Sequence, residues 1–304
     1  MNNRRDFIKT VLLGTSFLAM PDSAKAIFAR KPLKLVILHT NDTHSHLDPL
    51  PDNGGNFAGL GGVARRAGLV NKIRSENEHV LLLDSGDIFQ GTPYFNFFEG
   101  KIDLQLMSKM KYDAGTLGNH EFDNGIDSLV KQLQYAEFPF INSNYDVAGT
   151  ALENKLEKWR VIEKGNLRIG LIGLGINPAG LVTEPNYKGV KYNSPVETGD
   201  ATAKMLKEEK KCHFVIALSH LGFNMGNADD DQKVAAQTQY IDLILGGHTH
   251  TFMKEPKTII NKKGNPVIIQ HSGMYGICLG RLDFVFENDK IKTESKLYEI
   301  GADQ

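Results

Sequence analysis

The chain has little cysteine, a single tryptophan, no long apolar run and almost no net charge. Cys212 and Cys278 are its only cysteines among 304 residues. No Cys-x-x-Cys pair exists, which excludes a thiolate-held structural zinc. Cys278 lies in an apolar run, where a free buried thiol is the usual state, and a domain of this size needs no covalent staple. We therefore expect no disulfide. The N-terminal apolar run, residues 11–20, has ten residues, against about twenty needed to cross a bilayer as a helix, so no transmembrane anchor is expected. Lys and Arg number 35 against 36 Asp and Glu. Without a basic stripe, the chain is not built to track a nucleic-acid polymer. Internal repeats, low-complexity tracts and linkers are absent too. The 41% hydrophobic content is that of an ordinary globular protein.

The N-terminus reads as a leader. Arg4 and Arg5 precede Asp6, Phe7, Ile8 and Lys9; the short apolar run follows, and Ala24-Lys25-Ala26 gives a small-x-small cleavage site. The paired arginines resemble a twin-arginine signal, a route for proteins already folded, with a general secretory signal as the alternative. Residues 1–26 are thus expected to be removed on export to the periplasm or beyond. Their loss takes four basic and two acidic residues and leaves a net charge of −3. Residues 27–304 then form one large domain.

Strand-like runs alternate with helical stretches through this domain. Strands are expected at 33–40 and 80–83, and helices at 60–76, 102–111 and 125–136. In the second half, 159–162 and 167–175 read as a hairpin through Lys164-Gly165-Asn166. Residues 196–211 read as a helix opened by Pro195, and 280–286 with 291–297 as a second hairpin around Asn288-Asp289. Parallel β/α units mixed with hairpins point to an α/β fold of two packed mixed sheets flanked by helices.

Seven polar residues in five short blocks, each closing an apolar run, carry the chemistry. Asp42 and His44 lie in LVILHTNDTHSH, Asp87 in VLLLDSGD and Asn119 in DAGTLGNHEFD. His220 ends FVIALSH, and His248 with His250 end IDLILGGHTH. Ligands at the carboxyl ends of strands in an α/β sheet converge on one edge. Read as extended backbone, Asp42 and His44 point to one side, and His248 and His250 repeat the spacing. Carboxylate oxygen, amide oxygen and imidazole nitrogen suit zinc, manganese or iron, and a carboxylate such as Asp87 can bridge two cations. Together the blocks can hold two divalent ions, enough to generate hydroxide at neutral pH and to clamp a phosphoryl group. Gly118, Gly246 and Gly247 are expected to let the backbone turn sharply toward the cluster.

The motifs HTNDTHSHLDP, LLLDSGDIFQGTP, TLGNHEFDNG and ILGGHTH resemble those of the calcineurin-like metallophosphoesterases, and within them the bacterial 5′-nucleotidase/UDP-sugar hydrolase family. The likeness runs from about Leu33 to about Phe286. It implies a four-layer α/β/β/α sandwich, and two metal ions of zinc, manganese or iron type. The first would be held by Asp42, His44, Asp87 and His250, the second by Asp87, Asn119, His220 and His248. It also implies that His120 and Asp123 act on the phosphate. His120 follows a candidate ligand directly, which suits it to transition-state stabilisation or leaving-group protonation. Asp123, three residues on, can orient that imidazole and keep it protonated.

The implied reaction is phosphate-ester hydrolysis, with small phosphorylated metabolites, nucleotides first, as substrates. A broad phosphodiesterase cleaving UDP-sugars or cyclic nucleotides, a sulfur-ester hydrolase and a metal-binding module without turnover are the alternatives. Asn41 and His46 are expected to support the first metal block. Gln90 and His271 are weaker candidates for lining the cleft. The acidic run Asp229-Asp230-Asp231 reads as charge at a helix start, and His39, His79 and His213 are given no role. Typical family members continue into a domain that grips the nucleotide. Here a separate polypeptide supplying it in trans is the corresponding expectation.

Overall fold

A computed structural model describes residues 16–19, 32–226, 228–287 and 290–301. The expected leader therefore lies outside the described residues except for its backbone at 16–19.

Two six-stranded sheets dominate. The first runs β1 (Ser16–Ala19), β14 (Lys290–Glu299), β13 (Cys278–Glu287), β2 (Leu33–Thr40), β3 (Val80–Asp84) and β4 (Ala114–Gly115). The second runs β11 (Lys257–Ile260), β12 (Pro266–Gln270), β10 (Leu243–Leu245), β9 (Phe214–His220), β7 (Leu167–Gly175) and β6 (Trp159–Lys164). A two-stranded pair, β5 (Tyr145–Asp146) with β8 (Lys191–Tyr192), lies apart. Strands β2, β3 and β4 are parallel, as are β7, β9, β10 and β12. Strands β1, β14 and β13 of the first sheet and β11 and β6 of the second pair antiparallel with their neighbours, so both sheets are mixed.

Side chains alternating along each strand build the layers. Leu35, Ile37, Leu81 and Leu83 of the first sheet meet Ile169, Leu171, Phe214, Ile216, Leu218 and Leu243 of the second in one core. Their neighbours Val36, Leu38 and Leu82 face outward. There they pack under α1 (Val63–Glu76), α2 (Pro93–Phe98), α3 (Lys101–Lys109) and α4 (Gly125–Leu133). Ile172, Leu174, Val215, Ala217 and Ile244 face the other way, under α5 (Pro195–Glu208) and α6 (Asp231–Gln237). Burial on both faces explains why these strands read as continuous apolar runs. The expected four-layer sandwich is the observed one.

Local chemistry sets several boundaries away from their expected places. Helix α1 starts at Val63, three residues late, because Gly61 and Gly62 adopt φ of 85° and 97°. Helices α3 and α5 stop short of Lys111 and Lys211, which turn to φ of 57° and 56°. Helix α4 gives way after Leu133 to tighter turns at Tyr135 and Ala136. Ser194 caps α5 by accepting from the Glu197 N–H, with Pro195 in the first turn. Both expected hairpins form, closing at Lys164 with Leu167 and at Glu287 with Lys290. The two-residue strands and α2 are too short to leave a periodic signal. Both cysteines are buried and unpaired.

Candidate metal centre

Strand β2 leads into Asp42 and His44, β3 into Asp87 and β4 into Asn119 and His120. Strand β9 ends on His220, and β10 leads into His248 and His250. All seven expected ligands, three elements from one sheet and two from the other, thus gather at the carboxyl edge of the sandwich. Their donor atoms fall into groups. Asp42, His44 and His250 form one, and Asp87, His220 and His248 another; His44, Asp87 and His120 form a third between them. Within each group the donor atoms all lie within 4.8 Å of one another. Asn119 joins through its Oδ1, 3.0 Å from His248 Nδ1.

The convergence is not achieved by extended backbone. Asp42, His44, Asp87, His248 and His250 adopt φ of 51°, 49°, 52°, 72° and 51°. Five of seven expected ligands thus sit in the left-handed region, a conformation that side-chain-bearing residues rarely take. The extended reading of the two D-x-H and H-x-H blocks is therefore corrected: left-handed turns aim these side chains. The glycine expectation is corrected with it. Gly118, Gly246 and Gly247 are absent from the positive-φ glycines; what they supply is room. A Cβ on Gly118 would lie 2.1 Å from Asp87 Oδ1, and one on Gly247 would lie 3.0 Å from both Asp42 Oδ2 and His220 Nδ1.

Hydrogen bonds orient the donors. The Phe89 carbonyl accepts from His44 Nδ1 at 3.1 Å and the Ser85 carbonyl accepts from His220 Nδ1 at 2.7 Å. Each imidazole then turns its Nε2 toward the cluster. Asn41 Nδ2 donates to Asp42 Oδ2 at 2.6 Å and to the Gly273 carbonyl at 2.7 Å. The His248 N–H also donates to Asp42, at 3.0 Å. Asn41 is thus a supporting partner as expected. His46 Nδ1 meets the carbonyl of His44 at 2.9 Å, a contact to the backbone of the same block.

Burial and close neighbours set the protonation of the cluster. Asp42 and Asp87 are both buried, and burial pushes the Asp42 carboxyl up to about 8. Burial opposes ionisation of Asp87 as well, yet the neighbouring His220 holds it below the usual carboxylate range. Burial lowers His44 and His248 to about 4, leaving neutral imidazoles suited to coordination. His220 Nε2 is buried beside Asp87 without a well-aligned hydrogen bond among the described residues, and His44 Nε2 faces His250 Nε2 at 3.0 Å. A buried imidazole nitrogen without an aligned hydrogen bond, two imidazole nitrogens 3.0 Å apart and two buried carboxyl groups fit divalent cations, and the O/N donor set fits zinc, manganese or iron.

His120 lies at the edge of this cluster. Its Nδ1 donates to Asp123 Oδ2 at 2.7 Å, and that hydrogen bond, against burial, raises the imidazole to about 8. Its side chain is 33% exposed, whereas Asp87 and His220 are 2% and 0% exposed. A ligand entering the cleft can therefore reach His120.

A model of the family described as "Calcineurin-like phosphoesterase" matches residues 35–252. The chain belongs to this family. It is 32% identical over 294 residues to the trifunctional nucleotide phosphoesterase protein YfkN of Bacillus subtilis, covering 86% of this chain and 19% of that protein. It is 33% identical over 275 residues to the snake venom 5′-nucleotidase of Crotalus adamanteus, covering 84% and 46%. The crystal structure of the 5′-nucleotidase precursor from Thermus thermophilus superposes with a TM-score of 0.81 at 30% identity, covering 88% of this chain and 55% of that one. The chain thus spans less than half the length of the two curated relatives. Among its described residues no helix is long and apolar enough to cross a membrane.

Other expectations for this family member resolve differently. Gln90 is exposed with φ of 68°, outside the cluster. His271 is buried and faces Asp231 rather than the cleft. The acidic run divides its work. Asp230 caps α6 by accepting from the Lys233 N–H at 2.9 Å, whereas Asp231 is fully buried. Helix-start charge therefore accounts for only part of that run. His213 Nδ1 accepts from the Arg168 N–H, a structural role.

Two residues at the site went unnoticed in the sequence. Glu121 is buried, and its carboxylate accepts from the N–H groups of Asp87, Ile88, Phe89 and Gly118, binding the Asp87 turn to the Asn119 turn. A glutamate between His120 and Phe122, with no exposed face to occupy, was the available signal. Tyr275 adopts φ of 58° and donates its N–H to the Asp42 carbonyl at 2.7 Å. Its ring stacks on His46 with centroids 4.0 Å apart, a long-range contact with no local signature.

Proposed function

We propose that this chain hydrolyses phosphate esters of the 5′-nucleotide class, with two divalent cations held by the seven residues. Asp42, His44 and His250 would hold one and Asn119, His220 and His248 the other, with Asp87 between them. The observation that carries this reading is the grouping itself: the Asp42, His44 and His250 donors and the Asp87, His220 and His248 donors are linked by a third group of His44, Asp87 and His120, the last a half-buried imidazole already paired to Asp123.

When bound, such a cation pair lowers the pKa of water and neutralises phosphoryl charge, the two requirements of ester hydrolysis at neutral pH. The chain's own residues supply the rest. His120 is protonated at neutral pH because Asp123 holds its Nδ1–H, so it can hydrogen-bond a phosphoryl oxygen or give its other proton to the departing alkoxide. Asp123 acts through His120, and Asn186 in turn donates to the Asp123 carbonyl at 2.6 Å. Asn41, Ser85 and Phe89 hold the donor side chains in place, and the buried walls keep bulk water from the carboxylates.

Export by the twin-arginine leader at Arg4 and Arg5 belongs to the same proposal. Folding in the cytoplasm would let the centre form before translocation.

Turnover of AMP, UDP-glucose, cyclic nucleotides and a chromogenic phosphate monoester, with and without added manganese, tests the reading. Release of phosphate from AMP above the other substrates is expected. Absence of metal-stimulated hydrolysis from every substrate would overturn it.

A further inference from the structure

Asp231 opens α6 with no exposure at all, and carboxylates are almost never fully buried unless paired. Its Oδ2 accepts from His271 Nε2 at 2.7 Å, and its Oδ1 accepts from the hydroxyl of Ser219. His271 is equally buried and follows directly on β12. The pair rests on the backbone of Gly246, where a Cβ would lie 2.0 Å from His271 Nε2 and 2.1 Å from Asp231 Oδ2. Gly246 follows directly on β10 and precedes His248 by two residues, while Ser219 immediately precedes His220. Strands β9, β10 and β12 are parallel neighbours. One carboxylate therefore touches the carboxyl ends of all three, and two of these carry members of the Asp87, His220 and His248 group.

Apolar side chains could fill this space without the desolvation cost of a buried ion pair. What they cannot do is fix distances by directional hydrogen bonds. We propose that the Asp231–His271 pair is a positioning device for His220 and His248, setting one half of the metal centre without touching ion or substrate. This rests on the metal-binding reading of the seven residues. Loss of the His271 donor would leave the buried Asp231 carboxyl held by Ser219 alone, relieved by taking up a proton or by moving Ser219 or Gly246. Either motion displaces a donor of that half. Among the described residues the Asp42, His44 and His250 half is reached from the pair only at one remove, through the Ser272 donors to Asn41 and the His248 N–H to Asp42.

The test is calorimetric titration of metal-stripped full-length protein with Mn²⁺, alongside elemental analysis and thermal melting. Wild-type protein is expected to take up two ions. In His271→Leu, one binding event weakens by about 10–100-fold, the range for lost supporting contacts, while the other stays within about twofold. His271→Gln, which keeps an N–H donor, recovers most of the loss. A folded His271→Leu with both events unchanged overturns the proposal. So does equal weakening of both events. If His271→Leu does not fold, Ser219→Ala removes one hydrogen bond to Asp231 and should weaken that same event several-fold; no change there overturns the proposal as well. Wild-type protein binding no ion would instead sink the metal-centre reading itself, a failure visible before any variant is made.

Discussion

Asp87 and His220 stand 3.0 Å apart, carboxylate Oδ2 to imidazole Nε2, both buried. Burial alone would keep His220 neutral, but the Asp87 charge outweighs it and raises the imidazole to about 10. Without cations, then, the protein neutralises its buried carboxylate with a proton on a would-be ligand. Asp42 achieves the same by retaining its own proton, with its carboxyl raised by burial to about 8.

Ion uptake must therefore expel protons. Burial raises the Asp42 carboxyl and Asp87 raises His220, so on the proposed ligand assignment each would give up a proton to coordinate. Up to two protons should be released per centre filled, and apparent affinity should weaken as pH falls. Calorimetry in buffers of different ionisation enthalpy measures the number directly. Uptake without proton release would contradict the charge state given to this pair.

His120→Ala separates chemistry from coordination. We expect turnover to fall by about 10²–10⁴-fold, the range for a positioned acid–base group, with metal content unchanged by elemental analysis. Metal loss in this variant would make His120 a ligand.

On the proposed mechanism the His120–Asp123 hydrogen bond should set an alkaline limit, since the imidazolium it favours is populated below about 8 and lost as pH rises through that value. Because the Asp123 hydrogen bond is the largest cause of the rise, Asp123→Asn should move the alkaline limb of the kcat profile to lower pH. An unmoved limb would assign it to another group.

Gly118→Ala tests the close approach at Asp87. The added methyl would sit 2.1 Å from Asp87 Oδ1 and 2.5 Å from its backbone nitrogen, and backbone cannot move aside cheaply. The folded variant should bind metal poorly by elemental analysis. Full occupancy would show that this turn has slack.

Glu121→Ala leaves four backbone N–H groups without their acceptor. At about 1–3 kcal/mol for each buried group left unsatisfied, the loss should be at least about 3 kcal/mol in urea denaturation. Glu121→Gln, which retains one carbonyl oxygen, should lose less.

Much of this molecule is legible along the chain because the signals are local. Strand β2 announces itself through eight residues of which seven are buried, and α5 through Ser194-Pro195 and a run of good helix formers. The candidate ligands are legible for the same reason, since each block follows a buried strand. Glu121 and Tyr275 escaped because their partners lie in other blocks. The glycines were misread because room and flexibility look alike in one dimension.

Composition and local order by themselves determined the α/β class, the layers and which side chains gather at the sheet edge. Only the tertiary structure decided how those side chains are aimed, by left-handed turns that no local propensity favours and that surrounding contacts must enforce. It alone also decided that Asp231 pairs with His271, 40 residues away in sequence, because parallel strands bring their ends together only once the whole sheet has assembled.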